Sequence, residues 1–170
     1  MTTFESQLAK LGITARHCSD SRLSRCIEAE QLVSAEKDIF DRPLRMTAET
    51  HQSWVAMKKA AANEKIVLQL VSGYRSIDYQ CQLIQTKLDE GRKISEILKV
   101  NAIPGYSEHH TGRALDLTTI DCKPLEEEFE FSAAFTWLTS NAQRFNFHLS
   151  YPRDNIMSIA YEPWHWAYQP

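Results

Sequence analysis

Apolar residues recur along the chain in two different periods, and the switches between them predict the order of elements. A first short helix is expected over residues 4–10, with Thr2 and Glu5 as a capping box and Gly12 as its stop. Residues 21–35 read as helical, with Leu23, Ile27 and Leu32 roughly in phase. The stretch 40–46 holds Pro43 and reads as irregular or extended. A longer helix follows from about Thr47 to Asn63, with Trp54, Met57 and Ala61 on one face. Residues 65–72 (KIVLQLVS) are β-branched and apolar and predict a buried strand, which Gly73 breaks. Ser76 then caps a helix whose stripe is Ile77, Cys81, Ile84 and Leu88, and Gly91 ends it.

The second half is shorter-grained. Residues 103–111 contain Pro104, Gly105 and two histidines and read as a loop. Gly112 precedes a short strand over 113–118. Ser132 caps a helix to about residue 146, with Phe135, Leu138, Ala142 and Phe145 inward. Strands are expected again over 147–150 and 161–168. Helices and strands in this order predict an α+β fold: a single domain with a small antiparallel sheet packed with helices. Within residues 1–170, positions 1–45 are expected to form a helical N-terminal extension and about 46–170 a catalytic core.

Composition narrows the function classes. The chain has 170 residues, 43% hydrophobic and 24% charged, which suits one globular domain. A net charge of −3 gives no reason to expect a nucleic-acid partner or an anionic membrane surface. No window approaches the ~18 apolar residues of a membrane span. Residues 1–11 carry Glu5 and Lys10 without an apolar run, so a cytoplasmic location is the expectation. The four cysteines form no CxxC pair, which argues against a cysteine zinc site. Cys81 falls on an apolar helix face, and Cys18 could pair with Cys26 only in an oxidising compartment.

The chemistry lies in a few polar residues set in apolar surroundings. Asp116 sits among Ala114, Leu115 and Leu117, and His165 between Trp164 and Trp166. A buried carboxylate or imidazole is costly unless it is paired or bound to a cation. Catalytic zinc takes three ligands from His, Asp and Glu and keeps one position open. His109, Asp116 and His165 supply such a set for one ion, and Glu162 a neighbouring carboxylate for general-base work. Glu162 and His165 are three apart, but Pro163 makes a helix between them improbable, and the helical HExxH motif is absent. Each residue also has a plainer reading. Arg75 could form a surface ion pair, Glu162 a cap, and His17, His51 and His148 ordinary surface or core positions.

Three blocks carry a family resemblance: SGYRS (72–76) followed by Gln80, SEHHTGRALD (107–116), and EPWHW (162–166). They resemble the VanY-type D-alanyl-D-alanine carboxypeptidases, a group that includes LD-carboxypeptidases, D-Ala-D-Ala dipeptidases and some phage endolysins. The pattern S-x-H, G-x-A-x-D, E-x-x-H is matched at every defined position, and residues 136–152 are similar to the segment that precedes the last block. Residues 1–45 lie outside the resemblance. It implies zinc on His109, Asp116 and His165, with Glu162 as base. It also implies that Arg75 stabilises the oxyanion or holds a carbonyl, and that Gln80 and Ser107 help grip the peptide end. His110 stands where glutamine is common, and the pattern gives it no ligand role. Arg113 replaces a usual apolar residue, and Ala167 to Pro170 replace a basic continuation.

The expected activity is removal of a terminal D-alanine from a peptidoglycan stem peptide or muropeptide, with DD- or LD-specificity. Two alternatives remain: an endopeptidase cutting cross-links, and a non-catalytic zinc-binding module on the same fold.

Overall fold

The computed structural model describes residues 4–157 and 159–170. Its elements run α1 (Phe4–Lys10), α2 (Ala15–Asp20), β1 (Val33–Lys37), β2 (Pro43–Met46), α3 (Ala48–Asn63), β3 (Gln69–Ser72), α4 (Ile77–Asp89), α5 (Ile94–Val100), β4 (Ala114–Thr118), α6 (Ala133–Asn141), β5 (Phe147–Leu149) and β6 (His165–Tyr168). Short 3-10 turns lie at Glu108–Thr111, Glu127–Phe131 and Ala142–Phe145. This is the expected α+β fold. Thr2, the expected cap of α1, lies outside the described residues. No helix among those residues is long and apolar enough to cross a membrane.

Side-chain caps define the helix starts that matter most. Thr47, Ser76 and Ser132 each accept from the backbone N–H three residues on, at the heads of α3, α4 and α6. The main sheet has the order β3-β4-β6-β5, antiparallel throughout, and β1 and β2 form a separate hairpin. All of β4 is buried. Alternation sends Leu115 and Leu117 into a core that includes Trp54, Met57, Phe129, Leu138 and Phe147. A fully buried side chain of this kind contributes about 1.5–3 kcal/mol. A second cluster joins Leu8, Leu11 and Ile13 to Ile84, Ile97 and Ile103, so α1 is fastened to α4 and α5.

Residues 21–35 are not helical. Residues 21–32 run without regular structure and β1 follows. The apolar phase that suggested a helix is not used for burial, since Ile27 is 86% exposed. The backbone instead bonds across the molecule: Cys26 N–H donates to the Gly105 carbonyl and Ala29 N–H to the His110 carbonyl, each at 2.8 Å. Long-range hydrogen bonds here override a weak local preference.

Other differences are smaller. The expected strand over 65–72 begins only at Gln69, because Lys65 adopts φ +64° at the end of the preceding turn. The helix expected to reach 146 stops at Asn141, tightens into a 3-10 turn, and ends at Asn146 with φ +59°. The strand expected over 161–168 begins at His165, since Pro163 has no N–H for a ladder. Helix α5 has the apolar residues Ile94, Ile97 and Leu98, but it starts without a side-chain cap and was not expected.

Candidate metal centre

Strand register brings two of the three expected ligands together. Asp116 on β4 lies directly opposite His165 on β6, so both side chains leave the same face of the sheet. The third arrives on the 3-10 turn Glu108–Thr111, which Gly112 ends at φ +66°. The left-handed φ at Gly112 favours glycine, and a Cβ there would also crowd Leu32 Cδ2 at 2.7 Å and the Thr47 backbone nitrogen at 3.3 Å. One donor atom from each of His109, Asp116 and His165 falls within 4.8 Å of the others, and all three residues are buried. Such a set can hold a metal ion.

The ring nitrogens are assigned by their partners. His109 Nδ1–H donates to the Gly73 carbonyl at 2.7 Å, leaving Nε2 buried with no hydrogen-bond partner, 3.3 Å from Asp116 Oδ2. His165 Nε2–H donates to Glu108 Oε2 at 2.8 Å, and its Nδ1 faces Asp116 Oδ1 at 3.1 Å and Glu162 Oε2 at 3.8 Å. One imidazole therefore offers Nε2 and the other Nδ1. An orphaned buried nitrogen beside a buried carboxylate fits a cation, and two imidazoles with a carboxylate suit zinc.

The surroundings tune the donors. Burial and the nearby Arg75 guanidinium push His109 down to about 4, so it stays a neutral lone-pair donor. Burial alone would raise Asp116, but His109 and His165 hold it well below the usual carboxylate range. Burial opposes protonation of His165, yet its bonds to Asp116 and Glu108 outweigh that and raise it to about 10, so without a metal it is a cation between two carboxylates, and its Nδ1 becomes a ligand only by giving up a proton to the incoming ion. Glu162 is raised to about 7, by burial first and by the Asp116 and Glu108 charges, with His165 and Arg75 opposing.

Six of the seven expected site residues line one small cavity of about 40 Å³: Arg75, Gln80, Ser107, His109, Glu162 and His165. Asp116 joins Arg75 and Glu162 in a larger adjoining cleft of about 710 Å³. Arg75 Nη2 stands 3.7 Å from Asp116 Oδ2, its Nη1 donates to Gln80 Oε1 at 3.5 Å, and its Nε is buried without a partner. Gln80 is buried and spends its amide N–H on the Ala102 carbonyl at 3.0 Å, so its side chain braces Arg75. His110 is consumed by the backbone. Its Nε2 accepts from Gly105 N–H at 3.0 Å and its Nδ1–H donates to the Arg75 carbonyl at 2.7 Å.

Three further residues belong to the site: the sequence offers Tyr151 as one of several aromatic candidates for a pocket wall, and it does not single out Glu108 or Glu28. Glu108 bonds both His165 and Ser150 Oγ, the latter at 2.6 Å, and these contacts keep it ionised against its burial. Its place between Ser107 and His109 was the available signal. Tyr151 packs on the His165 ring at 4.8 Å. Burial, with Glu108 and Glu162 nearby, raises its pKa far above the usual phenol range and keeps it neutral. Glu28 accepts from Tyr74 Oη and from Ile77 N–H, each at 2.7 Å. Nothing in the sequence distinguishes it from a surface acid.

Comparison with known proteins places this geometry. The Bacillus subtilis (strain 168) protein YodJ is 36% identical over 140 residues, which is 79% of this chain and 50% of YodJ, so the chain spans half the length of that relative. The LD-carboxypeptidase LdcB, whose structure was solved for peptidoglycan recognition, superimposes with a TM-score of 0.74 at 31% identity over 83% of this chain and 69% of that one. A vancomycin-resistance D,D-pentapeptidase VanY solved with Zn(II) superimposes with a TM-score of 0.64 at 25% identity, over 84% and 82% of the two chains. The sequence profile described as VanY, D-alanyl-D-alanine carboxypeptidase, matches residues 43–170. On these grounds the chain belongs to the VanY carboxypeptidase family.

Proposed function

We propose that this protein is a zinc-dependent carboxypeptidase that removes the terminal D-alanine from peptidoglycan-derived peptides, with its 170 residues acting as one peptidase domain. The observation that carries the proposal is the convergence of His109, Asp116 and His165 within 4.8 Å beside a partly buried Glu162. His109 Nε2, an Asp116 carboxylate oxygen and His165 Nδ1 would hold one ion. Bound there, zinc supplies Lewis acidity that polarises a carbonyl and acidifies water toward neutrality.

The residues divide the remaining work. Glu162 accepts a proton from the attacking water and returns it to the amine of the departing D-alanine as the peptide C–N bond breaks. Arg75 projects donors over the same cleft, where they offset negative charge gathering on the carbonyl oxygen, a contribution of about 3–4 kcal/mol for a well-placed donor. Gln80 holds the guanidinium from behind. The small cavity beside the three ligands would take the terminal residue, with Ser107 and Arg75 on its wall to meet the carboxylate.

The likeness to LdcB favours LD- over DD-specificity. The test is D-alanine release by the zinc-loaded protein from two peptides, a pentapeptide ending D-Ala-D-Ala and a tetrapeptide ending diaminopimelate-D-Ala. Release from the tetrapeptide alone is expected, with loss of release in Glu162→Ala. Release from the pentapeptide alone would make it a DD-enzyme. Zinc binding without release from either would support a binding module, and release of peptide pairs from cross-linked material an endopeptidase.

A further inference from the structure

The small cavity and the larger cleft share Arg75, Asn101 and Glu162. The cleft therefore adjoins the small cavity and offers a peptide seated there a path outward. Four cations line that exit: Arg42, Arg45, Arg75 and Lys87. Among the described residues, its lining carboxylates are Asp116 and Glu162, both at the candidate metal centre.

Two of the cations are spent within the protein. Arg42 donates to the buried Asp38 at 2.6 Å and to the Val71 carbonyl at 3.1 Å. Arg75 faces Asp116. For Arg45 and Lys87, no carboxylate among the described residues lies within ion-pair distance.

Both are held in place. The Arg45 guanidinium rests 5.2 Å from the centroid of the Tyr74 ring, while Tyr74 N–H donates to the Arg45 carbonyl at 3.0 Å. Tyr74 is itself pinned, because its hydroxyl donates to Glu28 Oε1 at 2.7 Å. Glu28 accepts from that hydroxyl and from Ile77 N–H, and it makes no ion pair with Arg45. Lys87, half-buried on α4, donates to Asn101 Oδ1 at 3.0 Å, and Asn101 is anchored by its own amide on the Ile97 carbonyl. An ammonium carries three donors, and a guanidinium five, so both retain donors for a ligand. Lys87 is a half-buried cation with no ion-pair partner, a costly arrangement that an anionic ligand would relieve, while Arg45 is exposed and open to such a ligand.

We propose that Arg45 and Lys87 form an anion subsite in the outer cleft, which takes a free carboxylate carried by the diamino acid of the stem peptide. This rests on the carboxypeptidase reading, and it sets the substrate class: stem peptides bearing a side-chain carboxylate over those in which it is amidated.

The test measures binding separately from turnover. Zinc-loaded Glu162→Gln protein is titrated by calorimetry with two tetrapeptides ending diaminopimelate-D-Ala, alike except that the side-chain carboxylate is free in one and amidated in the other. The free acid is expected to bind about tenfold tighter, a margin that shrinks as salt is raised. Arg45→Met or Lys87→Met should cut that ratio, the pair together should bring it near one, and Arg45→Lys should keep part of it. Equal affinities for the two peptides, or a ratio that survives the double replacement, would overturn the subsite. D-alanine release by protein with Glu162 intact is scored alongside. Its absence with the binding ratio intact would defeat the hydrolase reading and still support the subsite.

Discussion

Strand β4 carries one residue of the His109–Asp116–His165 cluster and the segment 21–32 braces the loops around it, but they are held by different rules. On β4, five consecutive residues are buried, and alternation alone sorts Leu115 and Leu117 to the core and Asp116 to the ligand face. Pairing with β6 then sets Asp116 against His165. Residues 21–32 have no periodic pattern that the fold uses. They are positioned by scattered bonds to loops distant in sequence: Cys26 to Gly105, Ala29 to His110, and Glu28 to Tyr74 and Ile77. The strand places chemistry by register, and the segment fixes the loops that carry the rest of it. Damage to the first should remove a function outright, and damage to the second should misplace it.

The largest effect is expected at a ligand. His109→Ala removes an Nε2 that has no other partner, and it should abolish stable zinc binding and lower kcat/KM by about three orders of magnitude or more. Metal content after dialysis and D-alanine release measure the two losses. Retained stoichiometric zinc with full activity would exclude His109 as a ligand.

One step outward, Glu108 fixes which His165 nitrogen points inward. Glu108→Gln keeps a hydrogen-bond acceptor but loses the charge, and zinc affinity should weaken about 10–100-fold by chelator competition. Unchanged affinity would reduce Glu108 to a packing residue. This residue shows what the sequence could and could not convey. The clustering of His109, Asp116 and His165 was legible because buried polar residues in apolar runs demand a partner. Glu108 was legible in position but not in role, since its partners Ser150 and His165 are 42 and 57 residues away. Strand and helix identities followed from periodicity over most of the chain. They missed the short helices α2 and α5, and they failed at 21–35, where Leu23 and Ile27 mimic a helical phase while backbone bonds to the 105–110 loop decide the conformation.

The hairpin between β1 and β2 offers a control away from the metal. Asp38 is buried, with Oδ1 accepting from Phe40 and Arg42 N–H at 2.8 and 2.9 Å and Oδ2 from Arg42 Nε at 2.6 Å. Burial works to raise its pKa, but those bonds and the Arg42 charge lower it overall. A lowered folded pKa means the stabilisation is complete above the unfolded value of ~3.9 and is lost as pH falls through the folded value. Asp38→Asn should cost about 2 kcal/mol at pH 7 in urea unfolding, with the gap to the parent protein narrowing below about pH 4. A gap that is the same at pH 3 and pH 7 would separate the stabilisation from ionisation.

The neighbours Ile27 and Glu28 put the comparison in its sharpest form. Ile27 is 86% exposed and touches no part of the site, so Ile27→Ser should leave stability within about 0.5 kcal/mol and kinetics unchanged. Glu28 closes the head of α4 and holds Tyr74, the residue before Arg75. Without it, the Ile77 N–H and the Tyr74 hydroxyl lose a charged acceptor and the Arg75 loop loosens. Glu28→Ala should lower kcat/KM about tenfold while zinc affinity stays at the parent value, because no ligand contacts Glu28. Glu28→Gln, which keeps one acceptor oxygen, should recover part of the loss. If Glu28→Ala weakened zinc binding and activity in step, the segment would be acting on the whole centre and not through Arg75. If Ile27→Ser matched Glu28→Ala, the general fold of residues 21–32 would matter and its individual bonds would not.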